Sequence, residues 1–187
     1  MGKRKDILEA TKSLFWENGY EATSPRDILD LSKAGQGSFY HHFGSKKDLA
    51  VAAMEEVAED RIRIFDTAFA SPGTVKERLR LYLAQRKHPL VGCRIGRMVW
   101  DSAIKDERLR APLEKYFRHV QQRLIEELEQ AVARKELQLL LPPTQLALLI
   151  IVALQGSFTV SRALQSSCME DTVAGLQQML DVTILER

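Results

Sequence analysis

Apolar residues along this chain recur at intervals of three and four, and no segment alternates apolar and polar residues over a sustained run between turn residues. Three-to-four spacing puts side chains on one stripe of a helix, whereas a half-buried strand needs period two. The pattern predicts an all-α chain of about nine helices. The first carries Ile7, Thr11, Leu14 and Phe15 on one stripe and stops at Asn18-Gly19, because glycine tolerates the left-handed backbone that closes a helix. A long seventh helix, with Pro112 near its beginning, carries Leu113, Phe117, Val120, Leu124, Leu128 and Ala131 on its buried stripe.

Punctuation marks the other boundaries. Ser24-Pro25-Arg26-Asp27 opens a short helix to about Leu31: serine caps, proline suits the first turn, and the acid reaches back to the cap. Gln36 to His42 forms another short helix ended by Gly44, and Ser45-Lys46-Lys47-Asp48 repeats the cap-plus-acid signature before a longer helix to about Phe69. Ser71-Pro72-Gly73 breaks that helix, and Thr74 with Glu77 opens one that ends near Lys87-His88-Pro89. Gly92 and Gly96 bracket the start of the sixth helix, which carries Met98 and Trp100. Pro142-Pro143 precedes an apolar stretch, Leu146 to Leu164, and Ser167 with Glu170 caps a last helix carrying Val173, Leu176, Leu180 and Ile184, on which the chain ends.

Hydrophobic residues at 45% and charged residues at 28% are those of an ordinary globular protein. The longest apolar run, Leu146 to Leu154, falls far short of the roughly 20 residues that span a membrane. Met1 to Asp6 is charged and lacks the apolar stretch of a secretory signal. The expected location is the cytoplasm, with no membrane partner. Cys93 and Cys168 have neither metal-ligand spacing nor the number for a disulfide framework, so free thiols, no metal and no cofactor are expected. The net charge of +2 does not announce a nucleic-acid binder.

Residues 24–43, SPRDILDLSKAGQGSFYHHF, do so instead. They give two short helices joined by a turn and preceded by a longer helix, the pattern of a helix-turn-helix whose second short helix enters the major groove of DNA. Gln36 can donate to and accept from base edges, Ser38 can bond either kind of edge, and Gly37 lets the backbone approach closely. Tyr40, His41 and Lys46 can reach phosphates, and Lys46 lies in a first helical turn whose amides and dipole already favour an anion. Without that context, a Phe-Tyr-His-His-Phe run reads as core plus solvated polar groups; the turn, the caps and the following lysine favour DNA.

At Ile7-Leu8, Leu14-Phe15, Gly19-Tyr20, Ala22-Thr23, Asp27-Ile28, Leu49 and above all Gly37-Ser38-Phe39-Tyr40-His41-His42-Phe43-Gly44-Ser45-Lys46, the chain closely resembles the TetR family of transcriptional regulators. The resemblance implies a head over residues 1–48 and a ligand-sensing, dimerising body over 49–187. It also implies phosphate contacts at Ser24, Tyr40, His41 and Lys46, and base contacts at or near Arg26, Gln36, Gly37 and Ser38. Ser32-Lys33 stands where the family has alanine-glycine, so the turn is expected to shift toward Gly35, and Leu29 replaces a usual alanine.

For the body, the resemblance implies two C-terminal helices per subunit packed as a four-helix dimer interface, with Leu148, Ile151, Leu154, Phe158, Val173, Leu176 and Leu180 as its candidates. It implies a small-molecule effector held by the middle helices, with Tyr82, Cys93, Met98, Trp100, Tyr116, Phe117 and Phe158 as candidates beside the alternative that each is plain core. Gly92-Cys93-Arg94-Ile95-Gly96 resembles the pattern of a TetR subgroup that includes electrophile sensors, which offers Cys93 as a reactive thiol against the alternative of an inert, packed one. The rival classes are an enzyme built on Cys93 with His88 or His119, and a helical module whose head binds protein.

Overall fold

The computed structural model describes residues 2–85 and 92–186. Nine α-helices lie in them: α1 (Lys3–Asn18), α2 (Pro25–Ser32), α3 (Gln36–His42), α4 (Lys46–Phe69), α5 (Val75–Ala84), α6 (Arg94–Met98), α7 (Glu107–Ala133), α8 (Pro143–Leu164) and α9 (Met169–Thr183). The caps of α2 and α5 act as their sequence predicts. Ser24 Oγ accepts from the Asp27 amide while Asp27 accepts from the Ser24 amide, and Thr74 and Glu77 repeat the exchange. Gly19 closes α1 at φ 88°.

Some boundaries differ. The sixth helix spans only Arg94–Met98 and ends before Trp100; a short 3-10 turn, Ser102–Lys105, follows it. The last helix stops at Thr183. Ile184–Glu186 instead forms a strand, β2, antiparallel to β1 at Leu137–Leu139, with Leu139 opposite Ile184. The cap of α9 is Cys168 rather than Ser167. The expected helix end at Lys87-His88-Pro89 lies outside the described residues.

The chain divides into two compact units: residues 1–61 with 94–116, and residues 62–93 with 117–187. The 48/49 boundary thus falls inside the first unit, where α1, α2 and α3 gather around Ile7, Leu8, Phe15, Ile28, Phe39 and Phe43, with Leu49, Ala50, Ala53 and Met54 from α4, all buried. A buried Leu, Ile or Phe side chain contributes about 1.5–3 kcal/mol, so this small cluster holds the three short elements in one arrangement. The second unit buries Phe65 stacked on Phe69 (centroids 4.6 Å apart) and edge-on to Tyr82 (4.8 Å). Leu124, Leu128, Leu146, Ile150, Leu154 and Leu180 extend its core. Glu127, buried in it, is neutralised by Arg78 (2.7 Å) and Arg123 (2.8 Å).

Among the described residues, α8 is long and apolar enough to cross a membrane, with 22 residues of which an 18-residue stretch has a mean hydropathy of 1.7. The nine-residue apolar run understates it. Its apolar residues divide between a buried side, with Leu146, Ile150, Leu154 and Phe158, and an exposed side, with Leu148, Leu149, Val152, Val160 and Leu164.

Candidate nucleic-acid interface

The buried face of α3 explains its exposed one. Phe39 and Phe43 point into the core, at 1% and 4% exposure, and meet at 6.4 Å between ring centroids. With Phe39 anchored inward, helical spacing turns Gly37, Tyr40 and His41 away from the core, while Gln36 is open to solvent as the first residue of the helix; all four are exposed and Ser38 is half-buried. A Cβ built on Gly37 meets nothing within 4 Å, so packing within the chain does not require glycine there.

The turn before α3 does not shift toward Gly35. Lys33 itself takes the left-handed conformation, φ 53° and ψ 32°, while Gly35 is an ordinary extended N-cap at φ −77°. Lys3 Nζ donates to the Lys33 carbonyl (3.0 Å), which satisfies an oxygen at the C-terminus of α2. Leu29 fits half-buried between its neighbours.

Around this turn, Arg26 reaches into solvent and lies 3.9 Å from Asp30. Ser24 is exposed, and its hydroxyl donates to Asp27 Oδ2 (2.7 Å). Those hydrogen bonds from Ser24, side chain first and then backbone, hold the Asp27 carboxyl below its ordinary range. Lys46 stands over the Tyr20 ring, its Nζ 4.1 Å from the centroid. Partial burial lowers its pKa, opposed by the Glu21, Asp101 and Asp27 carboxylates. Asp48 closes the N-terminus of α4 through Ser45: the Asp48 amide donates to Ser45 Oγ (3.1 Å) and that hydroxyl donates back to the carboxylate (2.7 Å).

A capped α2, a tight turn and an α3 with its aromatics inside and its polar groups outside define a helix-turn-helix protein. The family model "Bacterial regulatory proteins, tetR family" matches residues 7–53, and the model "Tetracyclin repressor-like, C-terminal domain" matches 74–174. An uncharacterized HTH-type transcriptional regulator of Lactococcus lactis is 32% identical over 136 residues, 67% of either chain. The repressor KstR2 of Rhodococcus jostii is 37% identical over 59 residues, 32% of this chain and 29% of that one. Among solved structures, a TetR regulator of Chloroflexus aurantiacus superposes with a TM-score of 0.86 at 24% identity, covering 99% of this chain and 97% of that one. Escherichia coli NemR in its reduced form gives 0.83 at 20%, covering 99% and 98%.

The chain belongs to the TetR family: it is a transcriptional regulator with an N-terminal DNA-binding domain, not an enzyme.

The other predicted residues scatter. Tyr82, Cys93, Met98, Tyr116 and Phe158 are buried, Phe117 is half-buried, and Trp100 is 78% exposed. Met98 lines an apolar cavity of the first unit, of about 20 Å³, with Phe15, Trp16, Val57 and Leu113, room for about one water. Cys93 is closed off, and the guanidinium of Arg94 lies over the Trp16 ring (4.5 Å). His119 meets Asp66 at 2.8 Å; His88 is outside the described residues. In α8 and α9, Leu148 is exposed and Ile151 and Val173 are half-buried, while Leu154, Phe158, Leu176 and Leu180 are spent on the chain's own core.

Periodicity did not distinguish the outward residues Leu149, Val152, Val160, Leu164 and Val182 from the inward ones. Nor did any local signal join Asp101 to the head, where its carboxylate accepts from the Tyr20 amide across 81 positions.

Proposed function

We propose that the protein is a ligand-released repressor that binds a palindromic operator as a homodimer in the cytoplasm. The observation that carries the reading is α3: two buried phenylalanines hold it by one face and leave Gly37 and Tyr40 exposed on the other, with Gln36 exposed at its N-terminal end. Base edges in the major groove are read by Gln36 and Ser38, with Gly37 admitting close approach and Arg26 at the rim. Phosphates are held by Ser24, Tyr40, His41 and Lys46, which fix register without carrying sequence information. Ser24 must release its hydroxyl from Asp27 to do so.

One short helix reads too few bases to pick a site, so two heads are needed. The outward apolar side of α8, with Leu148, Leu149 and Val152, and Val182 of α9 supply the self-association surface. An effector held in the body favours a conformation with misplaced heads, and DNA affinity falls by population shift. Helix α4, with residues 46–61 in the first unit and the remainder in the second, is the coupling element.

Footprinting on the DNA flanking its own gene tests this. Protection of two half-sites with centres about one helical turn apart, or a multiple of it, is expected. A monomer that protects no sequence would overturn the reading. Lys46→Ala is expected to reduce the slope of log affinity against log salt by about one, as for a lost phosphate contact.

A further inference from the structure

The segment between α6 and α7 grips the head at the point where Lys46 is placed. Asp101 Oδ2 accepts from the Tyr20 amide (2.7 Å) and the Glu21 amide (3.3 Å), and its other oxygen accepts from Ala103 (3.0 Å). Next to it, Ser102 Oγ donates to Glu21 Oε1 (3.1 Å). The approach is close enough that a Cβ on Gly19 would stand 2.8 Å from Asp101 Oδ2, so glycine is required there both for its φ of 88° and for this carboxylate.

Tyr20 and Glu21 follow the end of α1, where no helix supplies acceptors for their amides; charge-assisted bonds from one carboxylate fix both. Fixing the Tyr20 backbone fixes its ring, which is braced edge-on against Phe15 (5.6 Å) and carries the Lys46 ammonium on its face (4.1 Å). Further along, Asp106 pairs with Lys47 (2.5 Å) and Arg108 with Asp48 (2.6 Å). Those pairs are partly exposed and individually weak. The hydrogen-bonded loop beneath Tyr20 is the part that determines geometry.

We propose that Asp101 is a positioning residue for DNA binding: by tying down the loop between α1 and α2 it sets the Tyr20 ring under Lys46 and aims the ammonium at its phosphate. The proposal rests on Lys46 being a phosphate contact. Its sign is informative, because a carboxylate near a phosphate site should by charge alone weaken DNA binding. Removing the whole side chain weakens binding only if its positioning of Lys46 outweighs that repulsion.

The test uses the full-length protein and a duplex it selects from a random-sequence pool, with affinity measured by fluorescence anisotropy over a series of KCl concentrations. Asp101→Ala should weaken binding about tenfold and lower the salt slope by about one, as Lys46→Ala does. Asp101→Asn, which keeps a carbonyl acceptor for the loop but not the charge, should retain the slope and bind at least as well as the parent. In a Lys46→Ala background, Asp101→Ala should change the slope no further.

Tighter binding by Asp101→Ala, an unchanged slope, or an added loss in the Lys46→Ala background would overturn the proposal. Should Asp101→Ala fail to fold, Tyr20→Leu replaces it, since it removes the ring and leaves the amide bonded to Asp101; the same loss of slope is expected, and a parental slope overturns the idea. A Lys46→Ala variant with the parental slope brings down the phosphate assignment and this proposal together, whereas a normal Lys46→Ala loss with a silent Asp101→Ala brings down this proposal alone.

Discussion

The outer face of α3 and the outer side of α8 are both open to solvent, yet they are made of opposite materials. On α3 the exposed groups are Gln36, Gly37, Tyr40 and His41; on α8 they are Leu148, Leu149, Val152, Val160 and Leu164. Polar groups in water already have hydrogen bonds, so they gain only from a partner whose donors and acceptors are placed to match. Apolar surface gains about 25 cal/mol for each Å² covered, whatever the detail of the partner. The first surface therefore suits selective, salt-sensitive recognition, and the second suits strong association that salt does not weaken. Raising ionic strength should release DNA while leaving self-association intact, which sedimentation and DNA-binding titrations on one sample can measure.

The largest effect is expected at α8. Val152 is 58% exposed, so glutamate there disturbs little inside the chain. In a two-fold interface each substitution occurs twice and buries an unpaired charge twice. Val152→Glu should raise the dimer dissociation constant at least about a hundredfold, about 2.7 kcal/mol, with far-UV circular dichroism unchanged. A dimer of parental strength in sedimentation equilibrium would remove this face from the interface.

On α3 the expected change is smaller and splits folding from binding. Because a Cβ at Gly37 meets open space, alanine should stabilise the helix by up to about 0.5–1 kcal/mol. The same methyl would stand between the backbone and the base edges, so Gly37→Ala should bind the operator about tenfold more weakly while melting at an equal or higher temperature. Equal operator affinity would show that the glycine is kept for neither packing nor DNA.

The same contrast explains what the sequence made legible. Ser24 with Asp27, Thr74 with Glu77, and Gly19 set helix ends through partners at most four residues away, so spacing alone locates them. The inward turn of Phe39 and Phe43 follows from the same short-range geometry, and with it most of the α3 face. What escaped depends on distant partners. β1 pairs with β2 across the whole of α8 and α9, and two three-residue strands show no period of their own. Over Leu146–Leu154, α8 is apolar on every side, so that run does not itself say that Leu154 faces inward and Leu148 outward; packing decides it. Asp101 lies far along the chain from the amides it caps, in a segment where nothing local marks it.

Lys33 is the smallest perturbation, and it asks whether the turn that aims α3 is strained. A side chain at φ 53° costs about 1 kcal/mol, and glycine removes that cost but gives the unfolded chain about 0.5 kcal/mol more freedom to lose. Lys33→Gly should therefore stabilise the protein by about 0.5 kcal/mol, seen as a higher urea midpoint at unchanged m. The bond from Lys3 Nζ goes to the backbone oxygen of Lys33 and survives the change. Lys135, at φ 60° beyond the end of α7, is the matched control in the second unit, and Lys135→Gly should shift the midpoint by a similar amount. The two differ in what else they move: only the turn at residue 33 sets the angle of α3, so only Lys33→Gly should alter operator affinity. A lower midpoint for Lys33→Gly would mean that its aliphatic stem contributes more by packing than the left-handed backbone costs.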